Sequence, residues 1–326
     1  METGKKPTTE TQGNPLPKSE ILFLYESIYS IPNGDPFTGE QRYDEETKRV
    51  LVSDVRIKRF IRDYLNANGN EIYVVLDRSN ASKEGKESGA AARMKTLKQK
   101  YSKQTTAKEV LKQCIDVKLF GGISTEEGDA ANITGPVQFA LLNPSLNEVD
   151  LRMHQNTCVF PSSMKNEQGT IGTTTVVPYS LNQIHGWINP YSAEHTGLIE
   201  SDVALMFKAL WESINCANTR TKSNQNSLLL LQIVYSNPTK KLYGVDRFIK
   251  LKHDNKRGEQ LRSIDDFEFD FTKLIDAVNS DAVSNVRYYC DVQDDIKKKI
   301  SDKLADNPKF TEMTLFADEQ DKGTKK

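Results

Sequence analysis

Apolar residues in this chain occur either in short continuous runs or in stripes with helical spacing. The run "ILFLYESIY", residues 21–29, is nearly continuously apolar and is followed by Pro32 and Gly34. A run of this kind, ended by turn-forming residues, predicts a strand that is buried on both faces.

An amphipathic helix is predicted to follow that strand. Ser53 suits its N-cap, Asp54 lies in the first turn, where the helix dipole favours a negative charge, and the helix is predicted to run to about Leu65. One apolar stripe is formed by Ile57, Phe60, Ile61, Tyr64 and Leu65. The face turned away from this stripe is basic, because it carries Arg56, Lys58, Arg59 and Arg62.

Further apolar runs predict additional strands and a projecting hairpin. Strands are predicted in "EIYVVLD" (71–77), "IDVKLFGG" (115–122), "GPVQFALL" (135–142) and "SLLLLQIVYSN" (227–237). Residues 153–180 have two Val/Thr-containing arms around a polar tip, which predicts an extended hairpin.

A second amphipathic helix is predicted after the hairpin, with Ser201 as its N-cap. Its apolar stripe consists of Val203, Met206, Phe207, Leu210 and Ile214, widened by Trp211. Weaker patterns near the C-terminus predict a helix in 267–278 and a strand in 286–292.

The order of the large predicted elements indicates the fold class. Strand, helix, strand, strand, helix, strand is the order of a ferredoxin-like or RRM-like unit. A polar and then strongly basic insertion interrupts this order between the strands predicted at 71–77 and 115–122. The predicted fold class is therefore α+β, an RRM-like unit with long insertions.

Composition narrows the functions that the chain can have. Hydrophobic residues make up 37%, and 44 basic residues face 45 acidic ones, so a polyanion would have to be held by a local basic stripe. The N-terminal residues lack the apolar core of a signal peptide and no stretch has the length of a membrane span, which predicts a cytoplasmic protein without membrane contact. Four widely spaced cysteines predict reduced thiols rather than a zinc site, and no cofactor is predicted.

Four segments together resemble a known family. They are "IPNGDPFTGEQRYDEETKRVLVSDVRIKRFIRDYL", "CIDVKLFGGI", "ITGPVQFALL" and "VVPYSLNQIHGWINPYSAEHTGLIESDVALMFKALWESI". They are similar to the backbone subunit of Cascade, the type I CRISPR surveillance complex, over roughly residues 20 to 250. Among subtypes the chain is most similar to the I-B form and then to the I-C form.

That resemblance implies a hand-shaped protein. It comprises an RRM-like palm over 20–317, a helical fingers insertion at 78–113 and a β-hairpin thumb at about 152–180, with disordered ends at 1–19 and 318–326. It also implies a non-catalytic subunit that oligomerises along CRISPR RNA and presents it for base pairing with target DNA. The implied partners are CRISPR RNA, target DNA through guide pairing, other copies of the chain, other Cascade subunits and a helicase-nuclease.

The resemblance turns the basic residues into candidate RNA contacts. Arg56, Lys58, Arg59 and Arg62 would face phosphates, joined by Arg42. Alanine substitution of Lys58, Arg59 and Arg62 is expected to weaken RNA binding without harming the fold. Further candidates are Gly121 and Gly122, where a backbone can approach a ligand closely, and the insertion residues Arg93, Lys95 and Lys98.

The thumb implied by the resemblance needs an apolar wedge. Phe160, Met164 and Ile171 are the candidates near the hairpin tip. His185 and His195 are interpreted as structural histidines, because no further residues complete a recognisable set of metal ligands.

Asp35 distinguishes two interpretations of the "NGDP" loop. One is a tight turn beside the guide RNA; the other is a metal-dependent endoribonuclease that uses Asp35 as its catalytic carboxylate. The turn is favoured, because a lone carboxylate seldom assembles a metal site. A third alternative is an unrelated RRM-like protein that binds RNA as a monomer.

Overall fold

The computed structural model describes residues 16–75, 89–101, 104–126, 128–158, 170–291 and 293–316. Its helices are α1 (Asp54–Ala67), α2 (Ala90–Tyr101), α3 (Ala107–Leu111), α4 (Ile115–Phe120), α5 (Pro190–Thr196), α6 (Glu200–Asn215), α7 (Thr272–Val278) and α8 (Asp294–Ala305). Its strands are β1 (Ser19–Ser30), β2 (Tyr43–Asp44), β3 (Arg49–Ser53), β4 (Gly121–Ser124), β5 (Ala131–Thr134), β6 (Val137–Phe139), β7 (Leu142–Pro144), β8 (Arg152–Cys158), β9 (Thr170–Ile188), β10 (Gln225–Tyr235), β11 (Lys250–Lys252), β12 (Glu268–Asp270), β13 (Val283–Cys290) and β14 (Phe310–Glu312). The α+β class predicted from the sequence is confirmed.

Some predicted boundaries fall outside the described residues. Residues 1–15 and 317–326, which include nearly all of the predicted N-terminal tail and the whole predicted C-terminal tail, are among them. Leu16 is buried and β1 begins at Ser19. Within the described ranges, none of the helices combines the length and apolarity needed to cross a bilayer.

A central sheet carries the architecture. Its strands lie in the order β14-β13-β10-β1-β9-β6, with β8 paired to β9 beside this path. All neighbours are antiparallel except β13 and β14. In chain order, β1, α1, β6, β9, α6 and β10 are a strand, a helix, two strands, a helix and a strand, with further elements between them.

Both faces of β1 are covered, as its continuous apolar run predicts. Phe23 and Tyr25 pack with α1 and α6 on one face, where the ring centroids of Phe23 and Trp211 lie 6.2 Å apart. Leu22 and Leu24 pack on the other face against a C-terminal layer built from residues 245–310. The sheet therefore has no open face at β1.

The two amphipathic helices form, with changes at their starts. The buried residues of α1 are Ile57, Phe60, Ile61 and Leu65. Ser53 occupies the N-cap position of α1, but its Oγ donates to Asn33 Oδ1 (2.7 Å) and makes no capping bond. Helix α6 begins at Glu200, so Ser201, the predicted cap, lies inside it.

Two predicted strands are wrong. Residues 115–120 form helix α4, whose side chains enter two clusters: Ile115, Leu119 and Phe120 on one side and Val117 on the other. Burial on both sides produces the continuous apolar run that was interpreted as a strand, and length alone does not separate the two cases. Residues 71–75 form neither helix nor strand.

The reason for the irregular backbone at 71–75 is a buried carboxylate. The N–H groups of Tyr73 and Val74 donate to Asp116 (2.8 and 3.0 Å) instead of to a neighbouring strand. The other predicted elements are present in modified form. Residues 135–142 contain the short strand β6 and the start of β7, 267–278 contains β12 and α7, and 286–292 overlaps β13.

The predicted hairpin is confirmed in its arms. Strands β8 and β9 pair antiparallel from Arg152↔Val176 to Cys158↔Thr170. Strand β9 then continues into the central sheet beside β1. The hairpin is therefore an extension of a core strand. Its tip, residues 159–169, lies outside the described residues.

Candidate nucleic-acid interface

Three of the four basic residues predicted on α1 are paired with carboxylates. Lys58 Nζ lies 3.2 Å from Asp54 Oδ2, Arg59 Nε lies 2.6 Å from Asp63 Oδ2 and Arg62 Nε lies 3.0 Å from Asp116 Oδ2. These side chains are engaged by the protein itself, and only the Arg59 pair is largely exposed.

Lys58 and Arg62 also serve the packing beneath α1. Asp116 is completely buried, and Arg62 supplies the cation that its carboxylate needs. Lys58 donates a second bond to Gln138 Oε1 (2.9 Å). Both cations lie over the ring of Phe120, at 5.7 and 5.3 Å from its centroid. A structural role explains both residues.

Arg56 differs from its three neighbours. Its guanidinium lies 3.9 Å from the ring centroid of Phe60, and its Nε is buried without a hydrogen-bond partner. Burial lowers the pKa of Arg56. No carboxylate among the described residues lies within ion-pair distance of it, so Arg56 has an unused donor in a site that favours an anion.

A second cation, Lys222, lies near Arg56. Lys222 Nζ donates to the carbonyl of Ile31 and has no carboxylate partner in the described part of the chain. Burial, and then the charge of Arg56, lower the pKa of Lys222 to about 8. A partly buried cation whose pKa is lowered by burial and by a second cation is stabilised when an anion binds beside it.

Two hydroxyl groups without hydrogen-bond partners belong to this region: one lies near Arg56, and the other is on the residue before Ile31, whose carbonyl Lys222 contacts. The Tyr25 hydroxyl is buried, close enough to feel the charge of Arg56, and has no hydrogen-bond partner. Burial raises the pKa of Tyr25, so its hydroxyl stays protonated and can donate. Ser30 Oγ at the end of β1 is also buried and unpaired. We refer to Arg56, Lys222, Tyr25 and Ser30 as the Arg56–Lys222 site.

A cavity of about 250 Å³ adjoins Ser30 and opens toward the base of the hairpin. Its lining combines Tyr29, Ser30 and Ile31 with Arg220 and Thr221, and with His154, Thr174 and Val176 of the hairpin. Tyr29 has a positive φ of 46° and is 62% exposed. A positive φ is costly for a residue with a side chain, and such positions cluster at functional sites.

The sequence analysis missed Lys222, Arg220 and Tyr29. Arg220 and Lys222 lie in the polar turn "NTRTKSN" between α6 and β10, where cations are ordinarily solvated. Their significance depends on which cations lack a carboxylate, and only the folded chain shows that. The positive φ of Tyr29 has no signal in the sequence.

The "NGDP" loop has the hydrogen bonding of a turn. Asp35 Oδ1 accepts from the N–H groups of Phe37 (2.9 Å) and Thr38 (3.4 Å), and Asp35 Oδ2 lies 3.1 Å from Arg42 Nη2. The Phe37 N–H group above all, together with that of Thr38 and with Arg42, holds the pKa of Asp35 below its usual value. Arg42 is thereby engaged by Asp35, although its Nε is buried without a partner.

The loop is also tied to the start of α1. Asn33 Oδ1 accepts from the Ser53 N–H group and from Ser53 Oγ, both at 2.7 Å. In the described ranges, no group of three or more His, Cys, Asp or Glu side chains is arranged to hold a metal ion. The contacts of Asp35 are those of a turn residue.

Gly121 has a structural reason, and at Gly122 a Cβ would lie 3.2 Å from Val117 Cγ2. Gly121 has φ +84°, and a Cβ there would lie 2.3 Å from the carbonyl oxygen of Ile133 and 2.5 Å from the nitrogen of Gly135. This close approach joins β4 to β5. Gly121 is buried, and its lack of a side chain serves the protein's own backbone.

Of the three basic residues predicted as RNA contacts in the insertion, two are paired with carboxylates. Arg93 pairs with Glu71 (2.6 Å), and Lys98 bridges Glu126 (2.6 Å) and Asp129 (2.7 Å). Lys95 is exposed. Lys95 is the one of these three that has no carboxylate partner in the described part of the chain.

The structure describes one of the three predicted wedge residues and both of the histidines. Phe160 and Met164 lie outside the described residues, and Ile171 pairs with Thr157 in the hairpin register. His185 Nε2 lies 2.7 Å from the buried carboxylate of Glu20, as expected for a structural histidine. His195 is exposed on α5.

Comparison with known proteins identifies relatives of the whole body of the chain. Residues 17–272 match the model of a family described as CRISPR-associated protein Cas7. A CRISPR-associated protein Cas7 of Haloferax volcanii is 28% identical over 294 residues, which cover 81% of this chain and 83% of the relative.

Two solved structures share the fold. One is a chain of a "CRISPR RNA-guided surveillance complex, pre-nicking", with a TM-score of 0.53, and the other a chain of a "CRISPR RNA-guided surveillance complex", with a TM-score of 0.51. Each is 14% identical and covers 91% of this chain, and 97% and 95% of the solved chains are covered. At this identity the likeness concerns the fold alone.

Proposed function

The chain belongs to the family of CRISPR-associated protein Cas7, and from this premise we propose that it is a CRISPR RNA-binding backbone subunit of a type I Cascade complex. The family resemblance predicted from the sequence is confirmed, and the I-B subtype stays a prediction. In the proposed role the protein holds the guide by its phosphates and leaves sequence recognition to base pairing.

The observation that carries this proposal is the Arg56–Lys222 site. Two partly buried cations without a carboxylate partner, one of them with an unused N–H donor, are costly unless an anion joins them. A phosphate of the guide beside Arg56 and Lys222 would supply the anion that these two cations lack. Charge-assisted bonds of this kind are about twice as strong as neutral ones.

The covered faces of the sheet at β1 favour an RNA site at the end of this strand over one on its faces. In an ordinary RRM, bases stack on an open sheet face. Here α1 and α6 cover one face at β1 and the C-terminal layer covers the other. We therefore place the guide at the end of β1, beside Tyr29 and the base of the hairpin, and treat the sheet order β10-β1-β9-β6 as that of an RRM-like palm.

The remaining parts of the hand are assigned on the same premise. The segment 78–113 is the fingers and the hairpin around 152–180 is the thumb, with the wedge drawn from Phe160, Met164 and Ile171. Copies of the chain assemble along the guide together with other Cascade subunits. Target DNA pairs with the guide, and a helicase-nuclease is recruited to the complex. The subunit itself performs no catalysis.

Light scattering of the purified protein with and without CRISPR RNA tests the proposal. We expect the RNA to convert the protein into an assembly whose mass grows by whole copies as the guide is lengthened. Affinity should fall with rising salt and depend little on the spacer sequence. A particle that remains a monomer with and without RNA would contradict the proposal, and so would a strong preference for one spacer over a scrambled one.

A further inference from the structure

A cavity of about 500 Å³ lies on the side of the sheet covered by the C-terminal layer. It is lined by residues 146–148, 246–247, 249–251 and 253, and also by Arg49, Gly258 and Lys273. None of its lining residues belongs to the Arg56–Lys222 site. The volume lies in the range of sites that take a small molecule or a short segment of a polymer.

The lining of this cavity is positively charged. Arg49, Arg247, Lys250 and Lys273 contribute cations, and Glu148 and Asp246 contribute carboxylates. No carboxylate of the described chain lies within ion-pair distance of these four cations. Neighbouring lysines outside the lining are paired, since Lys48 meets Asp150 and Lys252 meets Asp270. Asp150 and Asp270 are therefore already used, while the cavity lining itself holds four cations against the two carboxylates of Glu148 and Asp246, which leaves an excess of positive charge for a ligand.

The position of one of these cations is fixed by hydrogen bonds to the backbone. Arg49 Nη1 donates to the carbonyls of Ser145 and Leu146 (3.1 Å to the latter), which holds its side chain at the cavity. Arg247 folds over Gly244, where a Cβ would lie 2.4 Å from its Nη2. Gly244 also has a φ of +74°. Both the positive φ and the close approach of Arg247 therefore favour glycine at this position.

An exposed aromatic ring lies beside Arg247, one of the residues that line the cavity. Tyr243 is 87% exposed, and the guanidinium of Arg247 lies 5.0 Å from its ring centroid. A ring presented to solvent beside unpaired cations is the combination that binds single strands, because bases stack on the ring while cations neutralise phosphates.

We propose that this cavity binds a segment of single-stranded nucleic acid, in addition to the guide held at the Arg56–Lys222 site. Lys250, Lys273 and Arg247 neutralise its phosphates, and one base stacks on Tyr243. An acidic protein segment would satisfy the cations but would leave the ring of Tyr243 without a stacking partner, so the nucleic acid is favoured.

The test uses the full-length protein saturated with guide RNA. A fluorescein-labelled oligothymidylate, which is not complementary to the guide, is titrated and followed by anisotropy. Lys250→Glu/Lys273→Glu is compared with Lys297→Glu/Lys298→Glu, which makes the same change of net charge on the exposed surface of α8. We expect roughly tenfold weaker oligothymidylate binding for the cavity variant and less than about a twofold change for the control.

Two further measurements separate the alternatives. Tyr243→Ala should weaken oligothymidylate binding, and polyglutamate should compete poorly. Equal losses in the two double variants, or no binding to the loaded protein, would overturn the proposal. Effective competition by polyglutamate with no effect of Tyr243→Ala would assign the cavity to an acidic protein instead. The same titration on the Arg56→Gln/Lys222→Gln protein without guide RNA tests the cavity independently of guide binding.

Discussion

Arg62 Nε lies 3.0 Å from Oδ2 of Asp116, and this carboxylate is completely buried. Asp116 in turn accepts the N–H groups of Tyr73 and Val74, so the ion pair links α1, α4 and the irregular segment 71–75. The pair changes the expected result of the alanine substitutions at Lys58, Arg59 and Arg62, because removing Arg62 leaves a buried charge without its partner.

Arg62→Ala should destabilise the fold by about 3–5 kcal/mol, the usual cost of breaking a buried ion pair from one side. Chemical denaturation measures this free energy of unfolding. Arg59→Ala is the matched control, because its pair with Asp63 is exposed and should contribute less than about 1 kcal/mol. Equal and small effects of both substitutions would show that Arg62 is not a structural residue.

Arg56→Gln and Lys222→Gln should each weaken guide RNA binding while the fold is retained. Each substitution removes about one phosphate contact, so the slope of log affinity against log salt should decrease by about 0.7 for a single strand. Filter binding at several salt concentrations measures it, with Arg59→Gln as the control on the same helix. An unchanged slope in Arg56→Gln would remove the phosphate from this site.

Guide RNA affinity should fall as the pH rises from 7 to 9, because the pKa of Lys222 is about 8 and its charged form binds phosphate. Lys222→Arg keeps the charge and should flatten this dependence. The same lowered pKa has the opposite effect on the unliganded fold. Between pH 8 and the ordinary lysine pKa the unfolded chain binds the extra proton, so the contribution of Lys222 to stability rises with pH. Affinity that is level over this range for the wild type would contradict the assignment of Lys222.

Gly121→Ala should lower the melting temperature more than Gly69→Ala. Both positions have a positive φ, which costs about 1–3 kcal/mol for a residue with a side chain. Only at Gly121 would the new Cβ also meet backbone atoms, at 2.3 Å, whereas nothing lies within 4 Å at Gly69. Differential scanning calorimetry of the two variants separates collision from backbone strain, and similar melting temperatures would mean that β4 and β5 can move apart.

Asp35→Asn should leave complementary RNA uncut, as should the wild type, when the assembled complex is incubated with magnesium or manganese. Asp35 already accepts two N–H groups and pairs with Arg42, which are the contacts of a turn. Gel analysis of labelled target RNA provides the measurement. Regularly spaced fragments from the wild type that disappear in Asp35→Asn would instead support an endoribonuclease.

The elements that could be predicted from the sequence are those in which buried residues follow a regular pattern along the chain. The both-face burial of β1, the stripe of α1 and the arms of the hairpin follow from the spacing of apolar residues. The run at 115–120 has no such period, because α4 is buried on two sides, and an apolar run of that length fits a helix or a strand equally well.

The candidate site was less predictable, because a basic residue is available to RNA only if it is not already paired with a carboxylate of the protein. The partners of Arg62, Arg93 and Lys98 lie 54, 22, and 28 to 31 positions away in the chain. Those pairings depend on tertiary structure. Arg56 was predicted only as one member of the basic face of α1. Lys222 was missed, because in the sequence it looks like an ordinary surface cation and only the fold brings it near Arg56.

The central position of β1 has a consequence for synthesis of the chain. Its hydrogen-bonding partners are β9 and β10, and Ser19 pairs with Val234. A ribosome adding about 5–20 residues per second needs roughly 10–40 seconds to make the intervening segment. Until β9 and then β10 have been made, the strongly apolar strand β1 lacks one or both of its neighbours. The nascent N-terminus is therefore the part of this chain that depends most on chaperones, and substitutions that slow translation before β10 should lower the yield of soluble protein without changing its final stability.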